Sequence, residues 1–211
     1  MGSYWAFSQG EREAVYRAIL ARRDIRHFRP DPIPEEVLKR LYQAFHAAPS
    51  VGLTKPWAVV EIRERGTKEE VFALHQRARS QERALFQGKA QRVYDRLRLE
   101  GLLEAPLHLA VFQRPVPRSL GHQTMPETLT YSVVLAVGNL WIAARAEGIG
   151  VGWVSILDPE AVERLLGAPP GYRLVAYLCL GYPRAWPEEP LLKRAGWRHE
   201  EPLLRYRERF P

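Results

Sequence analysis

The chain has 211 residues, of which 46% are hydrophobic, and it carries a formal charge of +7 from 31 Lys and Arg against 24 Asp and Glu. This length suits one domain with one core, and the apolar content excludes a wholly disordered chain. We therefore expect a single domain over residues 1–211.

A positive charge of this size suits nucleic acid, anionic lipid or a phosphorylated small molecule as a partner. The densest basic stretch, residues 77–98, has helical spacing and includes Glu82 and Asp95. No recognised nucleic-acid-binding signature accompanies it, so a solvated helix face is the better interpretation. We expect no nucleic-acid partner.

Cysteine usage and hydropathy predict a cytoplasmic protein without a membrane partner. Cys179 is the only cysteine, so no disulfide can form within one chain, which is consistent with a reducing compartment. The first residues have neither the basic nor the apolar region of a secretory signal. The longest apolar stretch, residues 132–146, is interrupted by Gly138 and Asn139 and is too short to span a bilayer.

Apolar residues at helical spacing predict the first two helices, over 11–23 and 34–48. Residues 57–63 have the β-branched content of a strand. Thr67 is predicted to open a third helix, with Glu70 completing a capping box.

The second part of the chain continues this mixture of helices and strands. In chain order, we expect a charged helical region to about residue 100, a strand at 105–113, a loop at 115–127, a helix at 128–147, a strand at 150–156, a helix capped by Asp158 and a strand at 172–182. The tail at 183–211 is rich in proline and charge, and its Trp186 and Trp197 should pack on this domain or on a second subunit. The sum is an α+β fold.

Three short motifs could bind a ligand. RRDIR places Arg22, Arg23 and Arg26 close together, and guanidinium groups match phosphate oxygens, although surface arginines without a ligand are common. If the first helix continued, Arg22 and Arg26 would share a face. In APSVGLTKPW, Ser50 and Gly52 could present a hydroxyl and backbone amides to a ligand.

The third motif, GIGVGWVSI, contains glycines that would let a flat ligand approach the backbone. Its spacing is not that of a dinucleotide-binding fingerprint. A tight turn from a helix to a strand is the alternative interpretation.

In this order, RRDIRHF, APSVGLTKPW, AEGIGVGWVSI and YLCLGYP resemble the flavin-binding nitroreductase superfamily. Residues 98–112, 119–158 and 194–198 are similar in particular to its 5,6-dimethylbenzimidazole synthases. Asp24 stands where ordinary nitroreductases usually have Ser, and Leu53 fits the synthases. Lys55 departs from both patterns, since Gln is usual there.

The resemblance implies a nitroreductase-like fold with a mostly antiparallel central sheet flanked by helices. It also implies an intertwined homodimer with flavin mononucleotide (FMN) at the subunit interface and residues 183–211 as a C-terminal arm. Arg22, Arg23 and Arg26 would hold the phosphate and ribityl end of FMN. The other residues expected to line the flavin are Ser50, Gly52, Trp153 and Ser155.

The activity that the resemblance implies is the oxygen-dependent fragmentation of reduced FMN to 5,6-dimethylbenzimidazole, the lower ligand of vitamin B12. Molecular oxygen is then a second substrate, and NAD(P)H supplies electrons through a separate flavin reductase. Asp24 would take a proton from ribityl C1′, unless it only orients Arg23 or Arg26. Ser155 would act in the reaction with oxygen or in a later proton transfer, unless it is simply a small strand residue.

Other functions stay open at this point. An NAD(P)H-dependent nitroreductase or flavin reductase, a cob(II)yrinic acid a,c-diamide reductase and a flavin-binding protein without turnover would all leave the flavin intact. The six histidines are scattered without metal-ligand spacing, so we expect no metal site. The loop at 115–127, with His122, is a candidate lid over the pocket.

Overall fold

The computed structural model describes residues 5–118, 120–121, 123–199, 201–203 and 205. Its helices are α1 (Gln9–Leu20), α2 (Glu35–His46), α3 (Arg65–Arg83), α4 (Gly88–Arg96), α5 (Thr128–Ala146), α6 (Pro159–Leu165) and α7 (Leu191–Arg194). Its strands are β1 (Trp57–Ile62), β2 (Leu107–Gln113), β3 (Gly150–Trp153) and β4 (Arg173–Gly181), and a 3₁₀ turn covers Val51–Leu53.

The four strands form one sheet in the order β1-β2-β4-β3, and every neighbouring pair is antiparallel. Because side chains alternate along a strand, Leu109 and Leu178 face one core with α2 and α5, whereas Phe112 and Tyr177 face the other with α3 and α6. The predicted α+β class and the antiparallel sheet flanked by helices are confirmed.

Helix α5 is the centre of the first core. Seven of its residues are buried: Leu129, Ser132, Val133, Ala136, Val137, Leu140 and Ala144. Of the helices in the described residues, it alone is long and apolar enough to cross a membrane, a test that the core helix of a soluble protein also passes. Its packing against α2 and the sheet is that of a core helix.

The arginine motif is not helical, contrary to the expectation of a continuing helix. Helix α1 ends at Leu20, and Asp24 forms an isolated parallel bridge with Val151. The backbone N–H of Ile25 donates to the carbonyl of Val151 over 3.0 Å. Pairing with the edge strand β3 therefore replaces the helix, and Arg22 and Arg26 do not share a helical face.

The capping box at Thr67 is also wrong. Helix α3 begins at Arg65, so Gly66 and Thr67 lie inside its first turn. The Thr67 hydroxyl donates to the carboxylate of Glu64 instead. The charged region after it forms two helices, α3 and α4, rather than one, and the strand expected at 150–156 ends at Trp153.

The glycines of β3 accommodate this chain's own backbone. A Cβ on Gly152 would lie 2.2 Å from the carbonyl oxygen of Ile25, and a Cβ on Gly150 would lie 2.9 to 3.1 Å from the Ile25 side chain. These glycines let residues 24–26 lie against β3, so Ile25 occupies the place that the sequence suggested for a flat ligand. Gly148, with φ of +72°, ends α5 as a C-cap glycine does.

The tail folds back on its own domain. Trp186 Nε1 donates to the carbonyl of Ala21 over 2.9 Å, and Trp197 packs its ring against Phe86 and Tyr94. The first of the two packing alternatives is therefore the one observed in the described part of the tail. We call residues 184–197 the C-terminal strap.

Because backbone rather than a flexible side chain blocks a Cβ at Gly152, we expect Gly152→Ala to lower the free energy of unfolding by about 3 kcal/mol or more. Gly10→Ala is the matched control, since nothing lies within 4 Å of a Cβ there. It should leave stability unchanged or raise it by up to about 1 kcal/mol. Urea unfolding of both variants measures the difference. Equal stabilities would contradict this packing.

Candidate active site

The site begins where the extended segment of residues 24–26 meets the end of β3. The backbone N–H of Trp153 donates to Asp24 Oδ1 over 3.0 Å. Arg26 Nη2 donates to the carbonyl of Trp153 over 2.9 Å and also to Asp24 Oδ2. The two side chains and the strand end thus form one closed network.

Asp24 and Arg26 are an ion pair of unequal exposure, because the aspartate side chain is 37% exposed and the arginine side chain 11%. Burial raises the pKa of Asp24, while the charge of Arg26 and the hydrogen bond from Trp153 oppose that rise. Arg26 Nε and Nη1 are buried and have no hydrogen-bond partner among the described residues. Such donors are costly unless a ligand or water accepts from them.

A cavity of about 420 Å³ opens beside this pair. Five arginines line it, and Asp24 is its one acidic residue. We call it the arginine cavity, and its arginines are Arg26, Arg96, Arg98, Arg184 and Arg194. A concave surface with this excess of guanidinium groups attracts anions, and phosphate above all.

The arginines of this cavity are not all neutralised by carboxylates. Arg98 pairs with Glu104 at 3.1 Å, and Arg184 lies 3.7 Å from the same carboxylate. Arg96 and Arg194 have no carboxylate partner within the part of the chain that the structure describes. Their charge is available to a bound anion.

A second, smaller cavity of about 220 Å³ shares Arg26 with the first. Ser155 and Ile156, which follow β3, line it together with Tyr94 and Trp197. We call it the aromatic cavity. The exposed Ser155 therefore lines the same cavity as Arg26, another residue that the sequence assigned to the flavin site.

The other two arginines of the motif have different surroundings. Arg22 lies over the ring of Trp141, with its guanidinium carbon 4.7 Å from the ring centroid. Arg23 donates to the carbonyls of Leu20, Arg22 and Glu188, so its guanidinium fastens the strap to the end of α1. Of the three predicted phosphate ligands, only Arg26 lines the arginine cavity.

Ser50 and Gly52 lie far from this network in the same chain. The backbone N–H of Val51 donates to the hydroxyl of Ser132, near the beginning of α5. Arg145, near the end of α5, donates to the carbonyl of Ala21 beside the arginine motif. Thirteen residues of helix separate these two contacts, which corresponds to about 20 Å. Neither Ser50 nor Gly52 lines the arginine cavity or the aromatic cavity.

The loop containing Ser50 has a strained backbone. Its Gly52, Leu53 and Lys55 have φ of 53°, 55° and 42°, in the left-handed region that favours glycine. The hydroxyl of Ser50 accepts from the backbone N–H of Lys55 over 3.0 Å and holds the loop in shape. Leu53 is 84% exposed at its tip. Strained, exposed loops of this kind commonly belong to binding sites.

The described part of the predicted lid lies outside both cavities. No described residue of 115–127 lines the arginine cavity or the aromatic cavity, and His122 lies outside the described residues. The strap closes both cavities instead, with Arg184 and Arg194 in one and Leu192 and Trp197 in the other. Among the described residues, no group of three or more His, Cys, Asp and Glu could hold a metal ion.

Sequence reasoning missed four residues of the arginine cavity: Arg96, Arg98, Arg184 and Arg194. Arg96 and Arg98 lie in or close to the basic stretch that was interpreted as a solvated helix face. The other two lie in the tail, whose path depends on long-range contacts. Sequence alone could not show that Arg96 lacks a carboxylate partner among the described residues, because carboxylates are common close to it in the sequence.

The chain is similar to known proteins in sequence and in fold. The model of the nitroreductase family matches residues 19–182. A 5,6-dimethylbenzimidazole synthase of Rhodobacter capsulatus is 45% identical over 199 residues, which cover 93% of this chain and 96% of that protein. One of Rhodospirillum rubrum is 47% identical over 184 residues, which cover 86% and 87%.

Among solved structures, that of oxidized iodotyrosine deiodinase bound to FMN and 3-iodo-L-tyrosine matches with a TM-score of 0.74 and 25% identity. This match covers 92% of the chain described here and 98% of the deiodinase chain. The chain thus belongs to the nitroreductase family and, within it, to the group of the 5,6-dimethylbenzimidazole synthases.

Proposed function

We propose that this protein is a 5,6-dimethylbenzimidazole synthase that consumes reduced FMN and molecular oxygen. The observation that carries the proposal is the carboxylate of Asp24, held between Arg26 and the end of β3 at the edge of a cavity lined with arginine. A carboxylate at that place lowers the attraction of the cavity for an anion, so we assign Asp24 a chemical role rather than a purely binding one. The curated relatives of this name, at 45% and 47% identity, support it.

The two cavities suit the two ends of FMN. The phosphate is a dianion, which the arginine cavity would neutralise, and the flat ring would fill the aromatic cavity between Ser155 and Trp197. Arg26 belongs to both cavities, and its unpartnered Nε and Nη1 would donate to acceptor atoms of the flavin between them. The orphaned donors and the charge of the cavity thus fit this group.

The reduced flavin supplies the electrons for the reaction with oxygen. Asp24 would accept a proton from ribityl C1′, and its pKa, raised by burial, makes it a stronger base than an exposed aspartate. The hydrogen bond from the Trp153 backbone fixes Oδ1, so the proton would go to Oδ2. The hydroxyl of Ser155 lines the aromatic cavity, where it would donate or accept a proton beside a bound flavin ring.

A recycled flavin is the competing function, as in an NAD(P)H-dependent reductase. A nicotinamide would have to stack on the ring, where Leu192 and Trp197 cover the aromatic cavity. Trp197 is held there by the rings of Phe86 and Tyr94. We therefore assign the reduction of FMN to a separate flavin reductase and propose that both proteins act in the cytoplasm.

A homodimer would bring the two halves of the predicted site together. Helix α1 buries no residue in the single chain, and its Leu20 is 74% exposed. Helix α5 exposes Tyr131 and Leu135 close to the strained loop. Packing α5 of one copy antiparallel to α5 of another would bury these side chains and carry Gly52 of one copy toward Asp24 of the other. The proposal is a dimer with two shared sites.

The first test is to incubate the protein in air with FMN kept reduced by a separate flavin reductase, and to measure 5,6-dimethylbenzimidazole by chromatography. We expect the wild type to form it. Asp24→Asn should lower the rate at least about 100-fold while FMN still binds, because an amide cannot accept the proton. Consumption of NADPH by this protein alone, with the flavin intact, would instead identify a reductase.

The phosphate assignment predicts that Arg96→Gln and Arg194→Gln each raise the dissociation constant of FMN about 10- to 100-fold, since a charge-assisted hydrogen bond contributes about 1.5–3 kcal/mol. Riboflavin, which lacks the phosphate, should bind the variants and the wild type alike. Arg164→Gln is the control, because Arg164 is exposed on α6. If FMN and riboflavin lost affinity equally, the assignment of the phosphate to this cavity would be wrong.

The shared site predicts complementation between two inactive variants, Asp24→Asn and Gly52→Val. The two chains, carrying different tags, are produced together, and the dimers that contain both are purified. Such a dimer has one site with both halves intact, so it should regain about half of the wild-type activity. If each site came from one chain, the mixed dimer would be as inactive as its parents, and the shared arrangement would be wrong.

A further inference from the structure

Arg26 has two sets of donors with different fates. Its Nη2 is saturated by Asp24 and the Trp153 carbonyl, whereas Nε and Nη1 are buried without partners among the described residues. The side chain is nine-tenths buried and forms part of the wall of both cavities. The guanidinium is therefore poised between a carboxylate of its own chain and an acceptor in the cavities.

A bound flavin phosphate would compete with Asp24 for the same charge. The arginine cavity contains one carboxylate, and an anion that enters it comes to lie beside Asp24. Arg26 can neutralise only one of two neighbouring anions fully, and the field of the second anion favours the neutral form of a carboxylic acid. Both effects increase the affinity of Asp24 for a proton.

We propose that Arg26 is a positioning residue that holds Asp24 in the free protein and releases it when FMN binds, so that the carboxylate becomes a proton acceptor in the complex. This inference rests on the proposed function and adds how FMN binding controls the proton acceptor. In the free protein the ion pair keeps Asp24 engaged. In the complex Arg26 turns its charge to the flavin, and Asp24 faces ribityl C1′ without its counterion.

The surroundings of Asp24 favour a single titrating group. Besides the arginines of the cavity, the charged or titratable groups that face it are Arg22, His27 and the buried thiol of Cys179. Burial raises the pKa of the Cys179 thiol to about 12, so it stays protonated. His27 is exposed and lies 3.8 Å from Glu104. The arginines do not titrate.

The affinity for FMN should depend on pH if binding raises the pKa of Asp24. If the complex binds a proton more readily than the free protein does, FMN binding takes up protons, and its affinity falls as the pH rises through the window between the two pKa values of Asp24. In the free protein, burial already holds the pKa of Asp24 above the ordinary value of an aspartate. Ionisation of the FMN phosphate acts in the opposite direction.

The experiment is calorimetric titration of oxidised FMN, which binds without turnover, between about pH 5 and 8 in buffers of different ionisation enthalpy. The difference between the wild type and Asp24→Asn isolates the carboxylate. We expect the wild type to take up at least about half a proton more per FMN at its maximum, which corresponds to a shift of about one pKa unit. Its affinity relative to Asp24→Asn should fall about tenfold across the window.

Arg26→Gln separates the release of Asp24 from the field of the phosphate. Without the guanidinium, Asp24 is free before FMN arrives, so the extra uptake should fall to the smaller part that the field of the phosphate alone produces. Arg98→Gln is the matched control, since Arg98 lines the same cavity but pairs with Glu104, and it should keep the uptake.

Three results would overturn the proposal or its basis, and they are distinguishable. Equal proton uptake by the wild type and Asp24→Asn would show that Asp24 does not respond to FMN. Full uptake by Arg26→Gln would assign the response to the phosphate alone and exclude release by Arg26. A wild type that does not bind FMN would contradict the proposed function itself. Circular dichroism of each variant establishes that it is folded.

Discussion

The contact on which the site depends is the close approach of Ile25 to Gly152. A side chain on Gly152 would collide with the Ile25 carbonyl, so the extended segment can lie along β3 only because this strand carries glycine. The pairing places Asp24 and Arg26 at the end of the strand, and Trp153 then binds both through its backbone. A main-chain contact thus sets the positions of a carboxylate and its counterion to within hydrogen-bonding distance.

Charge distribution extends from that contact to the rest of the fold. Glu104 does not line the cavity. It accepts from the backbone of Phe28 and pairs with Arg98 and Arg184, which do line it. The cavity itself keeps one carboxylate, Asp24, among five arginines. A net charge of +7 spread evenly would attract many anions weakly, whereas this arrangement concentrates it where one dianion can be bound.

Sequence reasoning succeeded where a signal is local. Asp158 caps α6 as predicted, because an aspartate before a proline satisfies the free N–H groups of the first turn, here at Ala161. The apolar runs at 105–113 and 172–182 likewise predicted strands, which β2 and β4 confirm. These features depend on neighbours within a few residues.

It failed where a distant segment decides the outcome. The first helix was predicted to reach residue 23, but it ends at Leu20, and residues 24 and 25 pair with Val151, more than a hundred residues away. The strap is the other case, because its place is set by contacts such as that of Trp197 with Phe86. The arginines that it brings to the cavity could not be distinguished from solvated ones by sequence alone.

One fold can host different chemistries, so a reaction that consumes the flavin calls for an added group rather than a new scaffold. In the proposed function, that group is a base within reach of the ribityl chain. We assign that role to Asp24, because it lines the arginine cavity and pairs with Arg26, the residue that the arginine cavity and the aromatic cavity share. A carboxylate there would be repelled from a flavin phosphate in any purely binding site. The position of Asp24 among five arginines is explained if repulsion from the bound phosphate is what makes the carboxylate basic. Recognition of the phosphate is then coupled to the chemistry at C1′.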